Sequence, residues 1–229
     1  GYRTGDNPAR WKGHLAEVLP NRRQLAKPQH HAALPYIDAP QFMTELRTRE
    51  GIAARALEFT ILSAARTGEV VGSRWSEIDL RAGIWTVPAG RIKGGREHRV
   101  PLCDPALAIL KALPREAEFV FPGGRKGHAI SNMAMDAVLR RLGYKDGRAT
   151  VHGFRSTFRD WAAERTAYAN HVVEMALAHS VGNKVEAAYR RGDLFDKRRR
   201  LMADWATFLS KIQETPTDTV SPIRVGIAP

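Results

Sequence analysis

The sequence predicts an α+β fold that is mostly α-helical, with a small three-stranded antiparallel sheet. Three observations carry this reading. Apolar residues recur at helical spacing on both sides of the chain's middle, and between Ile78 and Leu102 the pattern shortens to strand-length β-rich runs. Hydrophobic residues make up 43% of the 229 residues, enough to bury a substantial core rather than leave a disordered chain.

Residues 1 to 35 hold Pro8, Pro20, Pro28 and Pro35 among scattered charges, which predicts an extended linker with at most a short helix near Trp11 to Val18. The chain opens on Gly1 rather than Met, so a piece of a longer protein is expected. Order is expected from Tyr36, with Pro40 suited to a helix first turn ahead of Phe42 and Leu46. Helices are expected over 52–65 and 68–73. Strands follow at 78–80, 84–87 and 98–102, with Gly94-Gly95 as a tight hairpin turn between the last two. Helices resume over 104–113, 131–142, 154–166, 171–177, 184–189 and 195–212, and 213–229 is expected to be a loose tail. The domain reading is a linker to residue 35, one folded body over 36–212 and the tail.

Composition narrows the function classes. Lys and Arg total 36 against 24 Asp and Glu, a net charge of +12 with a pI near 10.3. Such an excess suits a polyanion, because each neutralised phosphate releases condensed counterions. No apolar run approaches the roughly 18 residues of a membrane span. Cys103 is the single cysteine, so no internal disulfide can form, and its place after Arg99-Val100-Pro101-Leu102 marks a small core or strand-end residue. No Cys/His cluster has zinc-ligand spacing, and no cofactor or metal is expected.

Six residues could carry chemistry: Arg66 in Ala65-Arg66-Thr67-Gly68-Glu69, Lys93 beside the Gly94-Gly95 turn, His152 and Arg155 in His152-Gly153-Phe154-Arg155, His179, and Tyr189 in Glu186-Ala187-Ala188-Tyr189-Arg190-Arg191. Each alone is commonplace. Their order (Arg, Lys, His-x-x-Arg, His, Tyr) resembles that of the tyrosine recombinases, the phage-type integrases, over residues 36 to 212. The block Lys93-Gly94-Gly95-Arg96-Glu97-His98-Arg99-Val100-Pro101-Leu102 looks most like integrases of prophages and genomic islands.

The resemblance implies a site-specific recombinase that cleaves and rejoins DNA through a 3′-phosphotyrosyl bond to Tyr189, for integration or excision of a mobile element. The chemistry suits these residue types. Phosphodiester cleavage gathers negative charge on a pentacovalent phosphate, and two guanidinium forks, Arg66 and Arg155, can hold its nonbridging oxygens. A phenol with a pKa near about 10 needs help to attack at neutral pH, which nearby cations and His152 as general base can give. The resemblance makes Lys93 the general acid for the 5′-oxygen and His179 a hydrogen-bond donor to a nonbridging oxygen. Glu69 either buttresses Arg66, as an acidic residue does there in the family, or is a helix N-terminal charge. His98 is expected to alternate along its strand toward DNA or solvent.

Arg96, Arg99, Arg190 and Arg191 are the expected DNA contacts, and Lys197-Arg198-Arg199-Arg200 is either a phosphate contact or a solvated face. The helix after residue 195 either docks on a neighbouring protomer or packs on its own body. The resemblance implies double-stranded attachment sites as partners, a homotetramer on synapsed DNA and accessory DNA-bending factors, in the cytoplasm at the nucleoid. It also implies arm-type and core-binding domains upstream, for which residues 1–35 are too short. A type IB topoisomerase-like enzyme and a non-catalytic DNA-binding module are the alternatives.

Overall fold

The computed structural model describes residues 5, 7–19, 31–144, 147–179 and 192–211. The chain forms two compact units, Gly1–His31 and Ala32–Pro229. In the first, Trp11–Leu15 make a wide turn interrupted by extended Lys12 and left-handed Gly13, and Ala16–Val18 complete one helical turn with no buried residue.

The second unit begins with a chain segment that the sequence reading placed in the linker. Ala32 and Leu34 are fixed by hydrogen bonds: the Ala32 carbonyl accepts from the Thr150 N–H (3.0 Å) and hydroxyl (3.1 Å), and the Leu34 carbonyl accepts from the Thr157 hydroxyl (2.6 Å). A 3-10 turn, Tyr36–Asp38, leads into α1 (Ala39–Arg47), with Pro40 in the first turn, where its missing N–H costs nothing. Helix α2 (Ile52–Ser63) is mostly apolar, is buried throughout from Ala56 to Ser63, and forms the centre of the body. Its one buried acid, Glu58, is held by Arg47 (2.9 Å) and Arg55 (2.6 Å). After left-handed Ala64, the short α3 (Thr67–Val71) starts at Arg66.

The three strands are β1 (Ile78–Asp79), β2 (Ile84–Val87) and β3 (His98–Pro101), antiparallel in the order β1-β2-β3. Trp85 pairs with Val100 and Val87 with His98, so these four side chains share the core-facing side. The expected tight Gly94-Gly95 turn is not what joins β2 to β3. Ten residues, 88–97, intervene, including a 3-10 turn at Ala89–Arg91, and they form an arm with exposed residues 93–97. Arg91 ties the base of this arm down through Glu77 and the Glu69 carbonyl (3.0 Å).

Helices α4 (Asp104–Ala112), α5 (Ala134–Arg141), α6 (Phe154–Arg165), α7 (Asn170–Ala176) and α8 (Phe195–Ser210) complete the described body. The expected helix over 184–189 and most of the tail lie outside the described residues. Cys103 is buried at the end of the strand region, where desolvation raises its thiol to about 11 and leaves it inert as a nucleophile.

Helix α8 packs on its own body, which decides between the two readings of that segment. Leu201, Met202, Trp205 and Leu209 are buried, each aliphatic contributing on the order of 1.5–3 kcal/mol. The Trp205 indole packs at a tilt against Trp161 (4.9 Å between ring centres) and donates to the Ile61 carbonyl (2.9 Å). The basic run splits by helical periodicity. Lys197, Arg199 and Arg200 are exposed, but Arg198 is 1% exposed and is neither a phosphate contact nor part of a solvated face. It donates to the Asp193 carbonyl (2.7 Å), the Asp193 carboxylate (2.9 Å) and the Arg99 carbonyl (2.6 Å), joining α8 to β3.

Candidate active site

Arg66 is the N-cap of α3, with extended backbone. Three residues on, one helical turn places Glu69 back over it. The Glu69 carboxylate accepts from the Arg66 backbone N–H (3.0 Å) and from its Nη1 (2.8 Å). Both readings of Glu69 therefore hold at once: it caps the helix and it buttresses the guanidinium. At 2% exposure the carboxylate has little water to compete for it. The other end of the fork, Nη2, donates to the Ala178 carbonyl (3.1 Å).

Arg155 enters from the first turn of α6. Its Nη1 donates to the Ala64 carbonyl (2.5 Å), and its Nη2 donates to the Leu177 carbonyl (2.6 Å) and faces His179 Nε2 (3.1 Å). Ala64 ends α2, and Leu177 and Ala178 end α7, so two helix C-termini turn their negative ends on the paired cations. Burial, and then the charge of Arg66, lower the Arg155 pKa to about 10, which leaves it protonated at neutral pH. His152 lies exposed in the turn just before α6, and its carbonyl accepts from the Arg155 N–H (3.1 Å). Gly153 between them is required by a close approach: a Cβ there would meet the Ala32 carbonyl oxygen at 1.9 Å.

His179 follows α7 directly. Ala178 adopts a left-handed conformation (φ 50°), with its N–H bonded to the Met175 carbonyl and the His179 N–H bonded to the Glu174 carbonyl. This termination turns the imidazole back beside α7 and α6. Its Nδ1 lies 2.8 Å from the Glu174 carboxylate, whose other oxygen accepts from Arg159 Nε (2.6 Å). Burial would raise the Glu174 carboxyl, but the hydrogen bonds from Arg159 and His179 outweigh it and hold it below the ordinary value. Neither Glu174 nor Arg159 was legible as part of the site, although Arg159 lies one turn from Arg155 on the same helical face.

His98 does not face DNA or solvent as its sequence position suggested. Val100 points inward, and a residue two positions away on a strand must share its face. His98 is half-buried, close enough to Arg198, Glu69 and Arg66 to feel their charges, and desolvation followed by the Arg198 charge lowers its pKa to about 4. It is a neutral strut under the arginine seat. Arg99, on the opposite face, is exposed and paired within the protein. It is bonded to Asp193 (2.7 and 3.0 Å) and lies over the Phe195 ring (4.6 Å).

Arg66, Glu69, Arg155 and His179 are thus brought together. Lys93 and Arg96 stand exposed on the β2–β3 arm. Tyr189, Arg190 and Arg191 lie outside the described residues, between His179 and Asp193. Among the described residues no cluster of His, Cys, Asp or Glu could hold a metal, and no helix is long and apolar enough to cross a membrane.

Comparison with known proteins shows the family to which the chain belongs. Residues 34–194 match the model of the phage integrase family. Prophage integrase IntA of Escherichia coli (strain K12) is 38% identical over 173 residues, covering 73% of this chain and 41% of that protein. The integrase of Enterobacteria phage P4 is 32% identical over 204 residues, covering 80% of this chain and 46% of that one. The chain spans about half the length of the curated relatives it matches. Among solved structures, an integrase from mycobacterium phage Brujita superposes with a TM-score of 0.59 at 18% identity, over 90% of this chain and 67% of the other. At 18% identity such a likeness speaks for the fold.

Proposed function

Since this chain belongs to the phage integrase family of tyrosine recombinases, we propose that it is the catalytic portion of a site-specific DNA recombinase that cleaves and rejoins DNA through a 3′-phosphotyrosyl bond to Tyr189. The observation that carries this reading is the convergence of the Arg66 and Arg155 guanidiniums on the carbonyls of consecutive residues, beside His179 and backed by Glu69.

In this reading the phosphate takes the place of solvent in front of that seat. Arg155 has three hydrogen-bonded contacts and Arg66 two from its side chain, so each fork of five N–H groups retains donors for nonbridging oxygens. Because both cations are fixed by protein before DNA arrives, little reorganisation is needed as charge develops, and one such donor contributes about 10²–10³ in rate. His179 acts in this reading through Arg155, whose Nη2 it meets with Nε2 (3.1 Å), rather than as the direct donor to a nonbridging oxygen that the resemblance implies. His152, exposed at the α6 turn, is the general base toward the Tyr189 phenol, and Lys93, on an exposed arm, is the general acid toward the 5′-oxygen. Attack by Tyr189 forms the phosphorus–tyrosyl oxygen bond and releases the 5′-oxygen, which takes a proton. Return attack by a 5′-hydroxyl reverses both changes, so the exchange needs no energy source.

Arg96, Arg99, Arg190 and Arg191 are proposed to contact the DNA backbone, Arg99 keeping N–H groups beyond the two that hold Asp193. Double-stranded attachment sites, a homotetramer on synapsed DNA and DNA-bending accessory factors are the proposed partners, at the nucleoid in the cytoplasm.

The test is incubation with a nicked suicide substrate and a denaturing gel. The chain should form a protein–DNA adduct and Tyr189→Phe should form none. An adduct that persists in Tyr189→Phe removes Tyr189 from the mechanism.

A further inference from the structure

Glu174 is outside the residues that would touch DNA, yet every polar contact it makes leads to the site. It sits in the last turn of α7, with its side chain 16% exposed, between Arg159 and His179. Arg159 and Arg155 lie four apart on α6 and therefore on one face. Arg159 Nε donates to Glu174 Oε1 (2.6 Å), Glu174 Oε2 meets His179 Nδ1 (2.8 Å), and His179 Nε2 meets Arg155 Nη2 (3.1 Å). A four-residue chain of contacts thus leaves α6 and returns to it.

The partners fix the proton. An ionised carboxylate only accepts and a guanidinium only donates, so Nδ1 must carry hydrogen and Nε2 must offer its lone pair. The Schellman turn at Ala178 fixes the backbone of His179, but it leaves the ring rotation and the tautomer open. Glu174 closes both, and Arg159 closes the rotation of Glu174.

We propose that Glu174, anchored by Arg159, is a positioning residue for His179: it sets the imidazole as the Nδ1–H tautomer and aims Nε2 at the Arg155 guanidinium where the scissile phosphate would bind. This rests on the proposed role of His179 in DNA cleavage. Glu174→Gln changes the side chain's proton inventory at nearly constant shape, since an amide can present N–H to Nδ1 and so favour the opposite tautomer. Outer partners that orient an imidazole typically contribute roughly 10–100-fold.

The experiment has a spectroscopic arm and a kinetic arm. In the unmodified chain labelled with 15N-histidine, the His179 signals, assigned by their loss in His179→Ala, should show a protonated Nδ1 and a bare Nε2. A protonated Nε2 with bare Nδ1 overturns the proposal without recourse to any Glu174 variant. In single-turnover cleavage of a suicide substrate, Glu174→Gln should be slowed roughly 10–100-fold, Glu174→Asp should recover part of the rate, and Glu174→Gln should cause no further loss when His179 is already Ala. An equal loss in both backgrounds assigns Glu174 to general folding and overturns the proposal. If His179→Ala is slow but Glu174→Gln is not, Glu174 alone is excluded. If His179→Ala cleaves at the normal rate, the role of His179 falls, and the proposal with it.

Discussion

Arg66 and Arg155 donate to the carbonyls of adjacent residues, Ala178 (3.1 Å) and Leu177 (2.6 Å), so the end of one short helix holds both cations at once. Two guanidiniums this close repel, and Arg155 is buried besides. Glu69 and the carbonyl ends of α2 and α7 offset that cost.

The same arrangement makes Arg155 difficult to replace by lysine. An ammonium keeps the charge but cannot span the Ala64 and Leu177 carbonyls while facing His179 and a phosphate. Arg155→Lys is expected to slow single-turnover adduct formation by about 10²–10³. A rate within about threefold of the unmodified chain would show that the fork geometry is not used.

Ala178 holds a left-handed conformation (φ 50°) that costs an L-residue roughly 1–2 kcal/mol and glycine almost nothing. Ala178→Gly should stabilise the chain by about 0.5–1 kcal/mol after the greater freedom of glycine in the unfolded state is counted. Urea denaturation measures this directly, and a fall in stability would mean that the methyl group's packing outweighs the backbone strain.

Gly153 has ordinary helical backbone (φ −61°), so its requirement is steric. Gly153→Ala would drive a methyl into the Ala32 carbonyl, and is expected to cost about 1–3 kcal/mol while lifting residues 32–34 off α6. Hydrogen exchange reads the displacement, because the Thr150 N–H donates to Ala32 and should lose protection. Unchanged protection and stability would contradict the close approach.

His98 should make folding depend on pH. Its pKa falls from 6.5 in the unfolded chain to about 4 in the folded one, through burial and then the Arg198 charge, with Glu69 opposing. Between those values the unfolded chain binds a proton that the folded chain does not, so stability rises with pH from about 4 to 6.5 and is flat, as far as this group goes, outside that window. The span corresponds to on the order of 3 kcal/mol at most. Asp193 and Glu174 act lower. Burial raises each carboxyl, but hydrogen bonds and nearby cations outweigh it, so their contribution is present above the ordinary carboxylate range and is lost in stronger acid. His98→Gln should flatten the slope between pH 5 and 6.5, as followed by denaturant midpoints. A slope identical to that of the unmodified chain would place the titration elsewhere.

Local pattern was enough for much of this protein. Helical spacing marked α2 and α6 to within a few residues, and Arg66, Arg155 and His179 could be singled out by an order of residue types that resembles one family, although each alone is commonplace. The same local evidence misplaced His98 and left Arg198 undecided. Strand alternation says that His98 shares a face with Val100, but which face is inward is set by what packs there. One of the three arginines in Lys197–Arg200 turns inward because Asp193 and the Arg99 carbonyl wait for it, and no run of positive charge announces that. Glu174 is the clearest case. Its meaning depends on Arg159, fifteen residues away, and on His179, five away, meeting across two helices. Sequence determined which chemical groups this protein has and how they are spaced along each element. Only the packing of α6 against α7 decided which of them face one another, because hydrogen bonds and charges act through distances in space of a few ångströms, whatever the separation along the chain.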